Sequence, residues 1–372
     1  MNDELRIMIG KYSICLFFSF LLFFSCMGDE SSVSSDTPLD TPLHLKLVTR
    51  ADANAINKEQ VLEKLRLLIY DKDGRLEGNV LFTGSDLKTL APDQTSEAGV
   101  YYVDATLTLT HGRKTFCLIG NETSVLASKL SNASVVGRLT DLDNLHWVSP
   151  AIVDGLLPFT WCESRMIIVG DNELTFSLLR AVARVDVRLW KAADITGTIA
   201  LDALEILNEA SESRLLEGNP LDKTLAQVVS SEQKKSWGDA PLAVSTVPAS
   251  LTDQNAALAI ATFYLFEYSP AGTDEPTSLK LHYTQGTEKK SYTVKLAGGK
   301  DSGDNYIYQI KRNTLTDLRL TFETDGKLKA DWQVMDWTDD NYDRELGSDD
   351  SNWWYADWID VDDYSHQLDG VK

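Results

Sequence analysis

The strongest constraint on this chain is a period of two. From Leu43 to Trp337, apolar residues recur at alternate positions in short runs, with Gly, Asn, Asp and Thr between the runs. A strand turns successive side chains to opposite faces, so each run reads as a half-buried strand. Residues 101–110 (YYVDATLTLT) show it plainly: Tyr101, Val103, Ala105, Leu107 and Leu109 share one face. Similar runs lie at 43–48, 65–71, 116–119, 166–169, 174–178 and 182–189, and in the second half at 200–207, 257–268, 279–283, 291–296, 306–310, 318–322 and 328–337. Only 124–130 and 221–236 read as helices. Many short strands separated by turn residues predict an all-β chain of sandwiches. Its 372 residues suit two of them in tandem, expected at 43–178 and 179–338.

Charge and chemistry narrow the function. With 35 basic and 56 acidic residues the net charge is −21, which argues against nucleic acid as a partner and against electrostatic docking on anionic lipid. Four cysteines are too few for a disulfide scaffold, and five histidines offer little for zinc. There is no HExxH, GxSxG, CxxC or phosphate-cradling glycine loop. Asp71-x-Asp73-Gly74 lacks the bidentate acid of a calcium loop and reads as a turn, and around Asp339, Asn341 and Asp343 an arginine, Arg344, stands where glycine is needed. The expectation is a protein that is not an enzyme and has no cofactor and no metal site. Cys117, in an apolar run, reads as a small buried thiol, and spacing leaves open whether it pairs with Cys162.

The two ends differ from the body. Arg6 and Lys11 precede an apolar run at 14–24 that stops at Ser25-Cys26, too short for a membrane span and patterned as a lipoprotein signal peptide (1–25) with Cys26 as the acylated residue. Residues 26–42, rich in Ser, Thr, Asp and Pro, read as a flexible tether. After the first strand, Arg50-Ala51 opens a small, polar run of the sort proteases nick. Residues 339–372 carry eleven acids, two bases, and Trp353, Trp354, Tyr355 and Trp358. That composition fits either a solvated acidic tail or an interaction strand whose aromatics fill pockets on a partner.

Several segments, in order, resemble the Bacteroidetes fimbrillin family, the major-subunit type of type V pili. The opening strand with Arg50-Ala51 resembles the family's first strand and its Arg-specific maturation site. LEKLRLLIYDKDGRL followed by KTFCLIGNET resembles its strand pair ending in asparagine, with Asn121 there. LLRAVARVDVRL matches at Arg180, Ala183 and Arg184, FYLFEY includes Glu267, YQIKRNTLTDLRLTF matches at Ile310, Arg312 and Asn313, and DWQVMDW closes with Val334 and Trp337. Acidic residues just after Cys26 are similar to the surface-export signal of lipoproteins from the same bacteria. Two departures stand out: Thr314 and Thr316 replace the usual histidine and tyrosine, and the tail beyond Trp337 has no match.

The resemblance implies two transthyretin-like β-sandwiches and a structural subunit of a cell-surface fimbrium that contributes to adhesion. It implies a palmitate-bearing lipoprotein precursor at the outer membrane, cut after Arg50 by an Arg-specific protease and then polymerised extracellularly with other fimbrial subunits by donor-strand exchange. Donor candidates are the strand with Trp332, Val334 and Trp337 and the tail with Trp353, Tyr355, Ile359 and Val361. The rival expectation is a surface glycan-binding lipoprotein, because aromatic faces pack on sugar rings.

Overall fold

The structure, a computed structural model, describes residues 37–49, 59–89, 99–148, 156–216, 228–229, 233–270, 275–299, 302, 306–324, 326–337 and 354–355. In the first half the strands are β1 (Leu39–Val48), β2 (Lys64–Tyr70), β3 (Leu76–Thr83), β4 (Val100–Leu109), β5 (Gly112–Gly120), β6 (His146–Val148), β7 (Phe159–Ile167), β8 (Asn172–Ser177) and β9 (Leu179–Arg180). In the second they are β10 (Val182–Lys191), β11 (Ile199–Leu207), β12 (Glu209–Ala210), β13 (Glu212–Arg214), β14 (Val228–Val229), β15 (Lys234–Ser236), β16 (Leu242–Ala243), β17 (Ala261–Phe266), β18 (Ser278–Gln285), β19 (Glu288–Lys295), β20 (Thr314–Phe322), β21 (Leu328–Asp336) and β22 (Trp354–Tyr355).

The first half sets sheet β4-β1-β8 against sheet β3-β2-β5-β7-β9. Phe116 of β5 and Phe176 of β8 meet across the gap at 5.6 Å between ring centroids. The second half sets β17-β10-β20-β21-β22 against β15-β11-β18-β19, with Tyr283 of β18 on Phe322 of β20 at 4.8 Å. The chain is therefore all-β, with sandwich packing. The halves repeat one arrangement: β1 lies between antiparallel β4 and parallel β8, as β10 lies between antiparallel β17 and parallel β20. One buried apolar cluster continues through both.

The residues that carry the family resemblance mostly hold the frame. Asn121 ends β5 with a positive φ of 55°, a backbone that asparagine tolerates better than most residues. Its Oδ1 accepts from the Glu63 amide (2.9 Å), and its Nδ2 donates to the Val61 and Leu157 carbonyls (2.8 Å each). Before it, a Cβ on Gly120 would stand 2.6 Å from Leu62 Cδ1. Asn121→Ala loses these bonds and keeps the strained turn. It is expected to destabilise the chain by about 2–4 kcal/mol, read as a lower denaturant midpoint; an unchanged midpoint would show the network is dispensable.

The halves are joined by polar groups. Arg180, fully buried, donates to the Trp337 carbonyl (3.3 Å) and lies 4.2 Å over the Trp337 ring. Asn313 (φ 54°) accepts at Oδ1 from the Arg180 amide (3.3 Å) and donates its own amide to the Val182 carbonyl. Arg312 binds both oxygens of Glu267 and donates to Ser213 Oγ (2.9 Å). Ser213 lies in β13, which pairs with β6 of the first half.

Several expectations are corrected. β1 begins at Leu39, inside the segment read as tether, because Leu39–Pro42 pair with β4 from Leu109 to Thr106. Residues 221–236 are not one helix: Val228–Val229 pair with Glu209–Ala210 and Lys234–Ser236 pair with β11, so strand partners override local helical spacing. Ser250 instead caps a short helix, Leu251–Ala256, that the sequence reading missed. The run at 166–169 is the end of a strand that starts at Phe159, with Ile168 and Val169 beyond it. The run at 306–310 reduces to bridges such as Ile310 to Tyr268. Cys117 is no free thiol: it stands opposite Cys162 in the β5–β7 register and is disulfide-bonded to it. Asp71 Oδ1 caps the β2–β3 turn by accepting from the Asp73 and Arg75 amides (2.8 Å each).

Candidate functional site

The site is the seat of β1. The strand pairs with β4 along its whole length, from Leu39 opposite Leu109 to Val48 opposite Val100. Its other edge pairs with β8 from Leu43 opposite Asn172 to Val48 opposite Ser177. Alternation turns Leu43, Leu45 and Leu47 inward, and all three are buried to 1% exposure or less. Fully burying three leucines is worth on the order of 5–9 kcal/mol. A domain's whole stability is about 5–15 kcal/mol. An empty seat would therefore leave the first sandwich close to unfolding, with two strand edges unpaired.

The chain is clamped on both sides of Arg50. Thr49 donates its amide to the Gly99 carbonyl (2.8 Å), and its Oγ1 contacts the Gln60 carbonyl at 3.0 Å. Tyr101 donates its hydroxyl to the same Gln60 carbonyl (3.1 Å) and accepts from the Leu62 amide (2.9 Å). Thr49 and Gln60, on either side of residues 50–58, thus meet at hydrogen-bond distance. Just past it, Glu59 is buried against Arg184 (2.9 Å) and the Tyr264 hydroxyl. Burial pushes the Glu59 carboxyl above its usual range, while Arg184 and the Tyr264 hydrogen bond pull it back. Nothing in the sequence signalled Glu59, whose partners lie more than a hundred residues away.

One titratable pair lies on the strand. His44 Nδ1 and Asp104 Oδ1 of β4 are 2.8 Å apart, and Lys88 Nζ donates to the other Asp104 oxygen (2.7 Å). The Asp104 hydrogen bond raises the His44 pKa above 6.5, with added pull from the charges of Asp104, Asp171 and Glu173. A raised histidine stabilises the fold fully below about pH 6.5 and loses that contribution as pH rises through its folded pKa. Asp104 is lowered by Lys88 and His44, so its share fades only in acid. Both side chains are half exposed, so the effect is modest. Amide exchange of β1, corrected for intrinsic rates, should show easier opening at about pH 8 than at about pH 6. That difference should vanish in His44→Gln; equal opening at both pH values would contradict it.

Of the residues singled out from sequence, Cys26, Arg50, Ala51, Trp353, Ile359 and Val361 lie outside the described residues. Trp332, Val334 and Trp337 belong with β21, which pairs with β20 from Thr314 opposite Asp336 to Phe322 opposite Leu328; Trp337 directly follows it. Trp332 and Trp337 are buried at 3% and 2% exposure. Trp354 and Tyr355 form β22, antiparallel to β21 at Trp332 and Asp331. The buried tryptophans Trp147, Trp190, Trp332 and Trp337 present no open sugar platform. Among the described residues no group of acids, His and Cys forms a metal site.

No family model matches the chain, and no curated protein matches it. Solved structures do. A protein described as a putative cell adhesion protein from Parabacteroides distasonis aligns at 16% identity over 80% of this chain and 97% of its own, with a TM-score of 0.59. The tip fimbrial protein Mfa3 from Porphyromonas gingivalis, C-terminally truncated, aligns at 16% identity over 80% of this chain and 100% of its own, with a TM-score of 0.51. The chain has the fold of these fimbrial and cell-adhesion proteins, which fits the fimbrillin resemblance in its sequence.

Proposed function

We propose that this chain is a structural subunit of a cell-surface fimbrium, made as a lipoprotein precursor acylated at Cys26 and held at the outer membrane. An Arg-specific protease cuts after Arg50, and β1 with its lipid tether is exchanged for a donor strand from a neighbouring subunit. The observation that carries this reading is β1 itself: a central strand, buried on one face, joined to the described residues that follow it through segment 50–58. A cut there leaves the strand held only by hydrogen bonds and three leucines. An incoming strand with alternate apolar residues can displace it step by step, restoring both ladders as it advances.

Between the two donor candidates, β21 is committed to its own sheet by nine residue pairs with β20. The tail, whose described residues Trp354 and Tyr355 are held to β21 by two pairs against nine, is the more readily released donor, through Trp353, Tyr355, Ile359 and Val361. The test is limited digestion of the lipid-free chain with an Arg-specific protease, followed by N-terminal sequencing and gel analysis. A new terminus at Ala51, followed by SDS-resistant oligomers, is the expected result. A cut chain that stays monomeric would overturn the polymer reading.

A further inference from the structure

Two exposed apolar features each lie at the end of their own half that is away from the junction. The first is the turn between β7 and β8, where Met166, Ile168 and Val169 are 46%, 59% and 73% exposed. The turn is held in shape by Asn172, which accepts from the Ile168 amide (3.0 Å) and donates to the Ile168 (3.1 Å) and Gly170 (2.8 Å) carbonyls. The register places Gly112 opposite Ile167, Asn172 opposite Leu43 and Leu109 opposite Leu39. The tip therefore stands at the end of the first sandwich where β1 enters. The other end of β1 runs into the junction, where Glu59 meets Arg184.

The second feature is at the far end of the second half. β10 leaves the junction at Val182 and has run most of its length by Arg188–Trp190, about 20–25 Å on. There a cleft of about 220 Å³ is lined by Arg188, Trp190, Leu242, Val244, Leu258 and Ile260. Leu258, on its rim, is 90% exposed. Arg188 shares the Asp317 carboxylate with Arg319 and donates Nε to the Ala257 carbonyl (2.8 Å), which holds its guanidinium in the wall beside the apolar side chains.

We infer that the β7–β8 tip of one copy seats in the β10-end cleft of the next, a knob-in-hole contact between successive subunits. The inference rests on the strand-exchange reading and adds to it the body-to-body contact that accompanies the strand. Because the β1 seat runs into the junction at its inner end, the incoming subunit lies at the Leu39 end, beside the tip. Trp354 and Tyr355 pair antiparallel to β21, which runs toward the junction, so these two residues run toward the end that bears the cleft. A donor that continues in that direction leaves its subunit at the cleft end and enters the next at the tip end. Charge agrees: Asp171 and Glu173 flank the tip, and the Arg188 guanidinium stands in the cleft wall. Two different surfaces in contact propagate head to tail, into a filament where the rotation does not close, and do not form a two-fold dimer.

The test uses the chain with Val169→Cys and Leu258→Cys together, cut after Arg50 so that Cys26 departs, then mildly oxidised. A ladder of disulfide-linked oligomers on a non-reducing denaturing gel, absent from either single variant, is expected. Polymer without that ladder overturns the knob-in-hole contact and leaves strand exchange standing. No polymer even from the parent chain overturns both. Val169→Asp, at an exposed position that does not burden folding, should lower polymer yield about tenfold and be rescued by Leu258→Lys; parent-like yield from Val169→Asp alone would also overturn the contact.

Discussion

Arg50→Ala leaves the chain monomeric, with polymer lost to background when the wild-type chain and the variant are exposed to the same Arg-specific protease. The effect should be close to all-or-none, because it acts on release of a strand and not on strength of a contact. While segment 50–58 is intact, a displaced β1 remains tethered beside its seat and re-enters it. A strand tied to its seat by a short linker has an effective concentration of about millimolar, above any realistic concentration of a competing donor. The cut removes that advantage. The variant should keep wild-type denaturation behaviour, since β1 and its three leucines stay in place. Assembly by the uncut variant would mean that the donor enters elsewhere, for instance along the outer edge of β8, which is the last strand of its sheet.

Glu267→Ala should produce the largest loss of stability. Glu267 and Arg312 are each about 4% exposed, and Arg312 also reaches Ser213 Oγ and the Arg214 carbonyl (2.7 Å). Removing the carboxylate leaves a buried guanidinium without its counter-charge, a change that costs about 3–5 kcal/mol. Because Ser213 and Arg214 belong to β13, whose partner β6 comes from the first half, the loss should reach the junction as well as the second sandwich. A denaturation curve should show a lower midpoint, and Glu267→Gln, which still accepts hydrogen bonds, should recover part of it. A midpoint within error of wild type would mean that the pair fixes geometry without stabilising the fold.

Much of this was legible in the sequence, and the reason is periodicity. Leu43, Leu45 and Leu47, or Tyr101 and Val103, announce both strand and buried face, because a period of two has one structural meaning in a chain rich in turn residues. Asn121, Glu267, Arg312 and Asn313 could be picked out by resemblance, but what they do required coordinates: two hold a positive φ and two form a buried ion pair. Long-range partners left no local trace. Glu59 finds Arg184, Cys117 finds Cys162 across the β5–β7 register, and Lys234–Ser236 become a strand only because β11 offers an edge. The cleft at Trp190 and the tip at Val169 were invisible for the same reason, since each depends on where a strand ends in space.

The central claim is that β1 is exchanged, and its most direct test is the composition of the polymer. The chain is cut after Arg50, assembled, separated from soluble material, and denatured, and the peptides in each fraction are identified by mass spectrometry. The account predicts that polymer subunits begin at Ala51 and that the peptide containing Leu39–Val48 appears in the soluble fraction in equal amount. Retention of that peptide in the polymer, one per subunit, would contradict strand exchange at this seat.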